Sequence, residues 1–262
     1  MRLGDSGWFS LHPGEFFLLW TGLGLGELPP ALGVASAGRT SAARARLRDS
    51  VDRSLQERGL GTVGEPDRDV AALLEALAAS TVRADLEIVT EGGTFRAVGG
   101  SGPYGHVTAG FVEDELEIKI GPVSEYTLVS TMFGAVDPLP AGVGSPGNVP
   151  VEDYLRACRA GEHGGADVFL DVLRGAGARP VEANTFLRAI RDARSAGRFG
   201  VGVDDGAGRW SRASSTVNWV DTAAGRYALR RKDGWVTVTP VDPQRLLGMA
   251  EELVGEVAPG RL

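Results

Sequence analysis

Two segments that contain glycine and serine hold the residue types that could act as a nucleophile. Gly4-Asp5-Ser6-Gly7 resembles the tetrapeptide around the catalytic serine of serine proteases. His12 follows it too closely to be a separately placed base, and no β-barrel precedes it. Gly99-Gly100-Ser101-Gly102-Pro103 differs by one residue from Gly-x-Ser-x-Gly, but proline replaces the last glycine and no strand-to-helix elbow precedes it. We interpret this second segment as a polar hairpin turn, and the sequence predicts no catalytic serine.

Neither the histidines nor the acidic residues have the spacing of a metal site. The three histidines lie far apart and match no zinc-binding pattern: His12, His106 and His163. Asp167 and Asp171 lie about one helical turn apart, but two carboxylates do not supply the six or more oxygens that a calcium ion requires. Cys158 is the only cysteine, which excludes an internal disulfide and suits a reducing cytosol. Because no histidine sits in a partner motif for this thiol, we expect a small core or surface residue.

The glycine-rich segment Gly22-Leu23-Gly24-Leu25-Gly26 could bind a nucleotide only in a particular structural context. A dinucleotide-binding fingerprint follows a strand and opens a helix. Here the glycines close a predicted helix and lead to Pro29, which indicates helix termination. No Walker motif is present. We therefore predict no catalytic, cofactor-binding or metal-binding residues, and we do not expect an enzyme.

The composition indicates a soluble protein that does not bind nucleic acid. Its 262 residues suffice for one large domain or two small ones, and its net charge of −7 repels phosphate backbones. One basic cluster, Arg226 with residues 230–232, is interpreted as the solvated edge of a hairpin. The apolar run at residues 16–20 is too short for a signal-peptide core, and no run approaches the length of a membrane span. We expect a cytoplasmic location.

Hydrophobic periodicity predicts helices and strands that are grouped in blocks. Thr40 is expected to cap the second helix, which should stop at Gly59. The predicted helices cover residues 12–22, 40–58, 66–77, 124–133, 151–160, 166–175, 182–195 and 243–254. The predicted strands cover residues 8–11, 85–88, 94–98, 104–112, 115–120, 199–204, 209–220, 226–231 and 235–239. Helices followed by runs of strands indicate an α+β fold with an antiparallel or mixed central sheet.

The two halves of the chain share a pattern that predicts an internal repeat. Residues 116–129 and 234–247 align without a gap, so that Pro122 matches Pro240 and apolar residues coincide. Residues 138–150 are rich in proline and glycine and are the best linker candidate. We therefore predict an N-terminal half at 1–137 and a C-terminal half at 151–262, related by a pseudo-two-fold repeat within one compact domain.

Aromatic residues in the predicted strands should mostly pack in the core or across strands. They are Phe95, Tyr104, Phe111, Trp210, Trp219, Tyr227 and Trp235. Those that face outwards would be natural anchors for a protein partner. Glu113-Asp114-Glu115 indicates a charged turn that discourages edge pairing, with an acidic rim for a partner as the alternative.

Several short segments, in a fixed order and at a fixed spacing, carry a resemblance to a known family. In the N-terminal part they are Leu19-Trp20-Thr21-Gly22-Leu23-Gly24-Leu25-Gly26-Glu27-Leu28-Pro29, Gly38-Arg39-Thr40 and Arg58-Gly59-Leu60. In the C-terminal part they are Gly197-Arg198-Phe199-Gly200-Val201, Asp221-Thr222-Ala223-Ala224-Gly225-Arg226-Tyr227, Gly234-Trp235-Val236-Thr237-Val238 and Pro240-Val241-Asp242. With these segments the chain resembles the EspG family, the cytosolic chaperones of type VII (ESX) secretion in actinobacteria. Residues 90–115 and 134–165 depart from the family pattern.

The resemblance implies a pseudo-two-fold α+β fold with a central sheet and two helical bundles. It also implies an ATP-independent chaperone that binds a helical PE/PPE-like heterodimer, caps its apolar tip and keeps it soluble for export. No cofactor is implied. For the surface that contacts this partner we predict loop and strand residues of this chain: Gly92, Gly93, Thr94, Phe95, Tyr104, Trp210 and Trp219.

Two other functions stay open from the residues alone. The first is a small-molecule-binding or hydrolytic protein that uses the glycine-rich turns with Ser101 or His106. The second is a homo-oligomeric scaffold. The oligomeric state and the identity of the client do not follow from the sequence.

Overall fold

The computed structural model describes residues 7–38, 40–206 and 209–258. Within these residues the helices are α1 (Pro13–Gly22), α2 (Ser41–Glu57), α3 (Arg68–Ala78), α4 (Leu128–Phe133), α5 (Val151–Gly175), α6 (Pro180–Ile190) and α7 (Pro243–Val257). The strands are β1 (Phe9–Leu11), β2 (Val82–Thr90), β3 (Gly93–Gly102), β4 (Gly105–Val112), β5 (Glu117–Val123), β6 (Gly147–Pro150), β7 (Ala193–Asp204), β8 (Trp210–Arg212), β9 (Val217–Thr222), β10 (Gly225–Lys232) and β11 (Trp235–Pro240).

The strands of the described residues join a single sheet. Its order is β1-β5-β4-β3-β2-β7-β9-β10-β11-β6, and β8 pairs with β7 beyond the end of β9. At its centre β2 and β7 pair from Val82↔Val203 to Thr90↔Ser195, so the N-terminal and C-terminal strands are joined without a break. All pairings between these strands are antiparallel. The predicted α+β class is confirmed, and the sheet is antiparallel rather than mixed.

On both sides of the central pair β2 and β7, successive strands of the chain lie progressively further from the centre. β2 to β5 run towards one edge, where β1 pairs with β5, and β7, β9, β10 and β11 run towards the other, where β6 pairs with β11. β5 and β11 carry the two similar sequence segments, and each precedes a helix, α4 or α7. The predicted linker 138–150 contains β6, so its end belongs to the sheet. The pseudo-two-fold relation in space and the boundaries of the halves stay predictions.

Capping side chains fix where the helices begin. The Thr40 hydroxyl accepts a hydrogen bond at 3.2 Å from an amide of the first turn of α2, as its predicted N-cap role requires. α1 begins with a reciprocal pair of hydrogen bonds. His12 Nδ1 accepts from the Gly14 amide at 3.1 Å, and the Glu15 carboxylate accepts from the His12 amide at 2.8 Å.

Three boundaries differ from the prediction, each for a local reason. α5 covers both predicted helices, 151–160 and 166–175, and is kinked at Gly165, whose φ of 80° is not helical. α6 ends at Ile190 instead of residue 195, because Asp192 has a φ of 56° and turns the chain into β7. The strand predicted at 209–220 is divided into β8 and β9.

The sheet has one apolar core on one of its faces and two apolar cores on the other face. On the first face, α4 and α7 pack against residues such as Leu86, Phe199 and Ala228. On the second, α1, α2 and α3 pack on β3, β4 and β5, whereas α5 and α6 pack on β6, β10 and β11. We name these the closed face and the two-bundle face. Burial of each large apolar side chain in these cores contributes about 1.5–3 kcal/mol.

Strand register decides which side chains each face presents. Leu86 of β2 pairs with Phe199 of β7, and both lie on the closed face. Glu87, the next residue of β2, therefore lies on the two-bundle face, together with its neighbours Arg96 of β3 and Arg198 of β7. The two central strands are thus apolar on the closed face and largely polar on the two-bundle face.

Candidate partner-binding surface

Between the two helical bundles, the two-bundle face of β2 and β7 is left partly open, although Asp85, Gly200 and Gly202 on it are buried. The bundles pack on the flanking strands, and Val89 of β2 is 48% exposed. Ala196 and Arg198 of β7 are also exposed. We name this band the open strip and define it by Arg83, Glu87, Val89, Ala196, Arg198, Trp210 and Arg212. Its β2 and β7 residues are rigidly held, because both strands have a partner on each side within the sheet, whereas Trp210 and Arg212 lie on β8, which pairs with β7 alone.

Most charged side chains at the strip pair with one another across strands. Arg96 donates to Glu87 at 3.2 Å and to Glu113 at 2.9 Å. The carboxylate of Asp85, which is 8% exposed, accepts from Arg212 of β8. A Cβ on Gly200 would lie 2.6 Å from the Arg212 guanidinium, so glycine at this position lets Arg212 reach across the strand.

Arg198 is a cation in the middle of the strip that has no such partner. Its side chain is exposed and makes no ion pair or hydrogen bond with any residue that the structure describes. Its cross-strand neighbour Glu87 is bound by Arg96 instead. Arg198 therefore offers a donor group that a carboxylate or carbonyl of a partner could accept.

Trp210 is held at one end of the strip and is 40% exposed. The guanidinium of Arg83 lies 4.5 Å from the centre of its ring, which is a cation–π contact. Arg83 also donates to the carbonyls of Leu77 and Ala78 at 3.2 and 2.7 Å, at the end of α3. Burial lowers the pKa of Arg83, and the nearby Asp204 acts in the opposite direction. Trp210 is thus a positioned apolar surface rather than a free side chain.

The predicted hairpin Gly92-Gly93-Thr94-Phe95 lies at the other end of the strip. Thr90 closes this turn, since its hydroxyl accepts from the Gly92 amide and donates to the Gly93 carbonyl, both at 3.2 Å. Thr94 pairs with Val89 and so borders the strip. Phe95 pairs with Ile88 and packs against the core of the closed face. The hairpin therefore contributes to both faces of the sheet.

The two remaining predicted contact residues differ in exposure. Tyr104 is 73% exposed in the turn between β3 and β4, at the same end of the sheet as Trp210. Trp219 is 1% exposed, with its ring against Gly197 and 5.8 Å from the ring of Phe133. The prediction of an exposed anchor was wrong for Trp219, because the alternation of β9 turns this residue towards the closed face.

The sequence analysis missed the apolar and cationic residues of β2 and β7 at the strip. Asp85 and Glu87 mark the polar side of β2, and Val89 continues the same side as an apolar residue. This break in the alternation was the available signal for Val89. Arg198 carried no such signal, because its place beside Glu87 depends on the pairing of strands that are far apart in sequence.

The residues of the hydrolytic alternative do meet, but not as a catalytic site. Ser101 and His106 are direct cross-strand partners on β3 and β4. Nδ1 of His106 has no hydrogen-bond partner within the described residues, so no acid orients the imidazole. Neither residue lines the cleft at the turn from β2 to β3 or the cleft beside β1 and the start of α1. The segment Gly4-Asp5-Ser6, the other serine candidate, lies outside the described residues.

The thiol and the acidic residues also give no catalytic centre. Burial raises the pKa of Cys158, while a hydrogen bond with Tyr154 acts against it, so the unreactive thiol form is favoured. Across the described ranges, no group of three or more histidine, cysteine or acidic side chains could hold a metal ion. In the same part of the chain, no helix is long and apolar enough to cross a bilayer.

The predicted basic hairpin edge has a different structure from the one expected. Arg226 is completely buried and donates to Asp221 at 2.6 and 2.9 Å. Arg230 and Lys232 both lie within ion-pair distance of Glu256 on α7, at 3.1 and 3.4 Å. Arg231 is exposed and its side chain has no ion pair among the described residues. The four cations are therefore divided between a buried pair, a shared carboxylate on α7 and the solvent, and do not form one solvated edge.

The fold and the surface together define a class of protein, in which an antiparallel sheet carries two helical bundles on one face with an open strip between them. The chain belongs to the EspG family, which it matches over residues 12–252. EspG proteins are secretion chaperones rather than enzymes, so the resemblance stated above is confirmed.

Among solved structures, the chain is similar to the Mycobacterium tuberculosis type VII secretion system chaperone EspG5 in complex with the PE25–PPE41 dimer. The TM-score is 0.76 and the sequence identity 17%, covering 97% of this chain and 98% of that chain. At this identity the likeness shows the shared fold. A search of curated proteins finds no match.

Proposed function

We propose that this protein is a cytoplasmic, ATP-independent chaperone that binds a helical PE/PPE-like heterodimer and covers its apolar tip until export. The observation that carries the proposal is the open strip, a rigid band of uncovered sheet in a chain of the EspG family. EspG5, which has the same fold, is seen with the PE25–PPE41 dimer, and this supports the class of partner.

The dimensions of the strip suit the end of a helix. From Arg83 to Val89 the strip runs for six residue steps, or about 20 Å. Two open strands are about 10 Å wide, which is about the diameter of one helix. A standard interface needs about 800 Å² on each partner. The strip supplies only part of this area, so the partner also contacts the bundle walls beside it.

An apolar side chain at the end of the nearer wall extends the surface. α6 packs beside the strip on β9, and its last residue before the turn into β7, Ile190, is 39% exposed. The apolar tip of a helical partner would bury this side chain together with Val89 and Trp210. In this arrangement Gly92, Gly93, Thr94 and Phe95 border one end of the interface, and Tyr104 borders the other.

Co-expression with PE/PPE-like heterodimers from the same genome tests the proposal. We expect one of them to co-elute with this chain on size exclusion in nucleotide-free buffer. Val89→Asp combined with Arg198→Glu should abolish co-elution without changing the melting temperature. The proposal fails if no heterodimer binds, or if binding survives this double variant. Light scattering of the chain alone reports whether it forms a scaffold without any client.

A further inference from the structure

Arg198 lies at the centre of the open strip between small residues of its own strand. The residues two positions away on the same face of β7 are Ala196 and Gly200, and neither has a side chain that could cover the guanidinium. Asn218 of β9 is its neighbour on one side, and the side-chain amide of Asn218 donates to the Thr216 hydroxyl at 3.0 Å. A partner that enters between the two bundles can therefore reach Arg198.

The carboxylates on the same face are engaged by other arginines. Glu87, the neighbour of Arg198 on β2, accepts from Arg96 at 3.2 Å. Asp85, two residues earlier on β2, accepts from Arg212. The Arg198 side chain has no ion pair or hydrogen bond within the part of the chain that the structure describes. Water solvates its charge in the free protein, since the side chain is exposed.

A client that covers the strip removes this water from Arg198. Burial of a cation without a partner charge is strongly unfavourable. A lysine could release its proton on burial, but an arginine guanidinium stays charged at physiological pH. A neutral carbonyl of the client would accept one hydrogen bond and leave the charge uncompensated. A carboxylate supplies the opposite charge and can accept two parallel N–H bonds from the guanidinium. The client must therefore bring a negative charge to this point.

We propose that Arg198 determines which client the strip accepts, and that the client places one aspartate or glutamate of its apolar tip against this guanidinium. This specificity rests on the proposed function and adds the side-chain chemistry that the client must have. A heterodimer without the carboxylate would cover Arg198 with neutral groups and bind poorly. One client can thus be selected among several that share an apolar tip.

The strand register also sets where the carboxylate lies on the client. Val89 pairs with Ala196, so Arg198 is two residues, or about 7 Å, further along the strip. In the same direction, a Cβ on Gly202 would lie 3.5 Å from the Trp210 ring, and Gly202 is about 13 Å beyond Arg198. A client helix along the strip has a turn about every 5.4 Å, so its acidic residue lies about one turn from the apolar residue that contacts Val89.

Titration calorimetry with the heterodimer obtained by co-expression measures the contribution of Arg198. Arg198→Gln removes the charge but keeps an N–H donor, so it distinguishes a carboxylate partner from a carbonyl partner. We expect its Kd to rise at least about 30-fold, and the Kd of Arg198→Lys to rise less because the charge is kept. Arg53→Gln removes the same charge from the exposed side of α2 and should change the Kd by less than about twofold. The melting temperatures of these variants should equal that of the unmodified chain.

The client carries the other half of the test. Its acidic residues are replaced one at a time by asparagine or glutamine, and one of these changes should reproduce the loss seen with Arg198→Gln. Combining that change with Arg198→Gln should give a Kd no higher than in either single variant, because no unpaired charge is then buried. Independent sites would instead multiply the two losses to about 900-fold. Arg198→Glu, with arginine in place of the acidic residue of the client, should restore the Kd to within about tenfold of the original pair.

A Kd of Arg198→Gln within about threefold of the unmodified chain would overturn this specificity. Losses that multiply, or the lack of any acidic client residue whose replacement reproduces the loss, would also overturn it. In each of these cases the heterodimer still binds the unmodified chain, and Val89→Asp alone still reports on the open strip, so the proposed function stands. If no heterodimer binds the unmodified chain, the proposed function fails, and the role of Arg198 fails with it.

Discussion

Replacing Trp210 with alanine should weaken client binding by an amount that the structure sets. Trp210 is 40% exposed, and a tryptophan side chain presents at most about 250 Å², so about 100 Å² is open to a partner. At about 25 cal/mol per Å², complete burial contributes about 2.5 kcal/mol. This corresponds to about a 60-fold increase in Kd. Arg83 should keep its place in the variant, because the carbonyls at the end of α3 hold it independently of the indole.

Titration calorimetry of the purified chain with the heterodimer found by co-expression gives the required Kd values. Trp235→Ala is the matched control, since Trp235 is 46% exposed but lies on the opposite face, paired with Lys232 at a hairpin end. We expect its Kd to stay within about twofold of the unmodified chain, which is the usual scale for a residue outside an interface. A Trp210→Ala effect below about threefold, or an equal effect of both substitutions, would refute the assignment of the strip.

The other predictions concern the fold and the thiol. Asp221→Asn leaves Arg226 buried without its charge partner and should lower the free energy of unfolding in urea by about 3–5 kcal/mol, whereas a loss below about 1 kcal/mol would contradict this account. Gly197→Ala overlaps the Trp219 ring and should cost about 1–3 kcal/mol. Gly248→Ala, in an open position of α7, should instead raise the stability of the fold by about 0.5–1 kcal/mol. A higher melting temperature for Gly197→Ala than for Gly248→Ala would contradict this packing. Burial raises the pKa of Cys158, so its reaction with a disulfide reagent should reach half its maximal rate at a higher pH than the reaction of a free cysteine does. If both reach half-maximal rate at the same pH, the thiolate of Cys158 is exposed.

Local sequence signals were sufficient for most elements of the fold. The cap at Thr40 and the stop at Gly59 act within one turn, so they can be recognised without tertiary structure. The short strand β6 could not be found in this way. Its four residues lie in a segment rich in proline and glycine, and they become a strand only because β11 offers a free edge.

The candidate surface was harder to predict, because exposure depends on which strands lie side by side. Trp210 and Trp219 both lie in the strand predicted at 209–220, yet one is 40% exposed and the other 1%. The interruption between β8 and β9 separates the two residues, and only the pairing with β7 shows which face each one occupies. The openness of β2 and β7 is likewise invisible in sequence, since it follows from the two helical bundles packing on strands to either side.

The chemistry of the open strip is consistent with a chaperone that must stay soluble both with and without its client. A continuous apolar band would bind more tightly, but it would also promote self-association of the free protein. Here the ends carry Val89 and Trp210, while the centre carries ion pairs and the unpaired Arg198. Exposed ion pairs contribute only about 0–1 kcal/mol each, so a client can displace or reuse them at little cost. The apolar ends then provide affinity and the charged centre provides register, which allows specific binding that is still weak enough to be reversed at export.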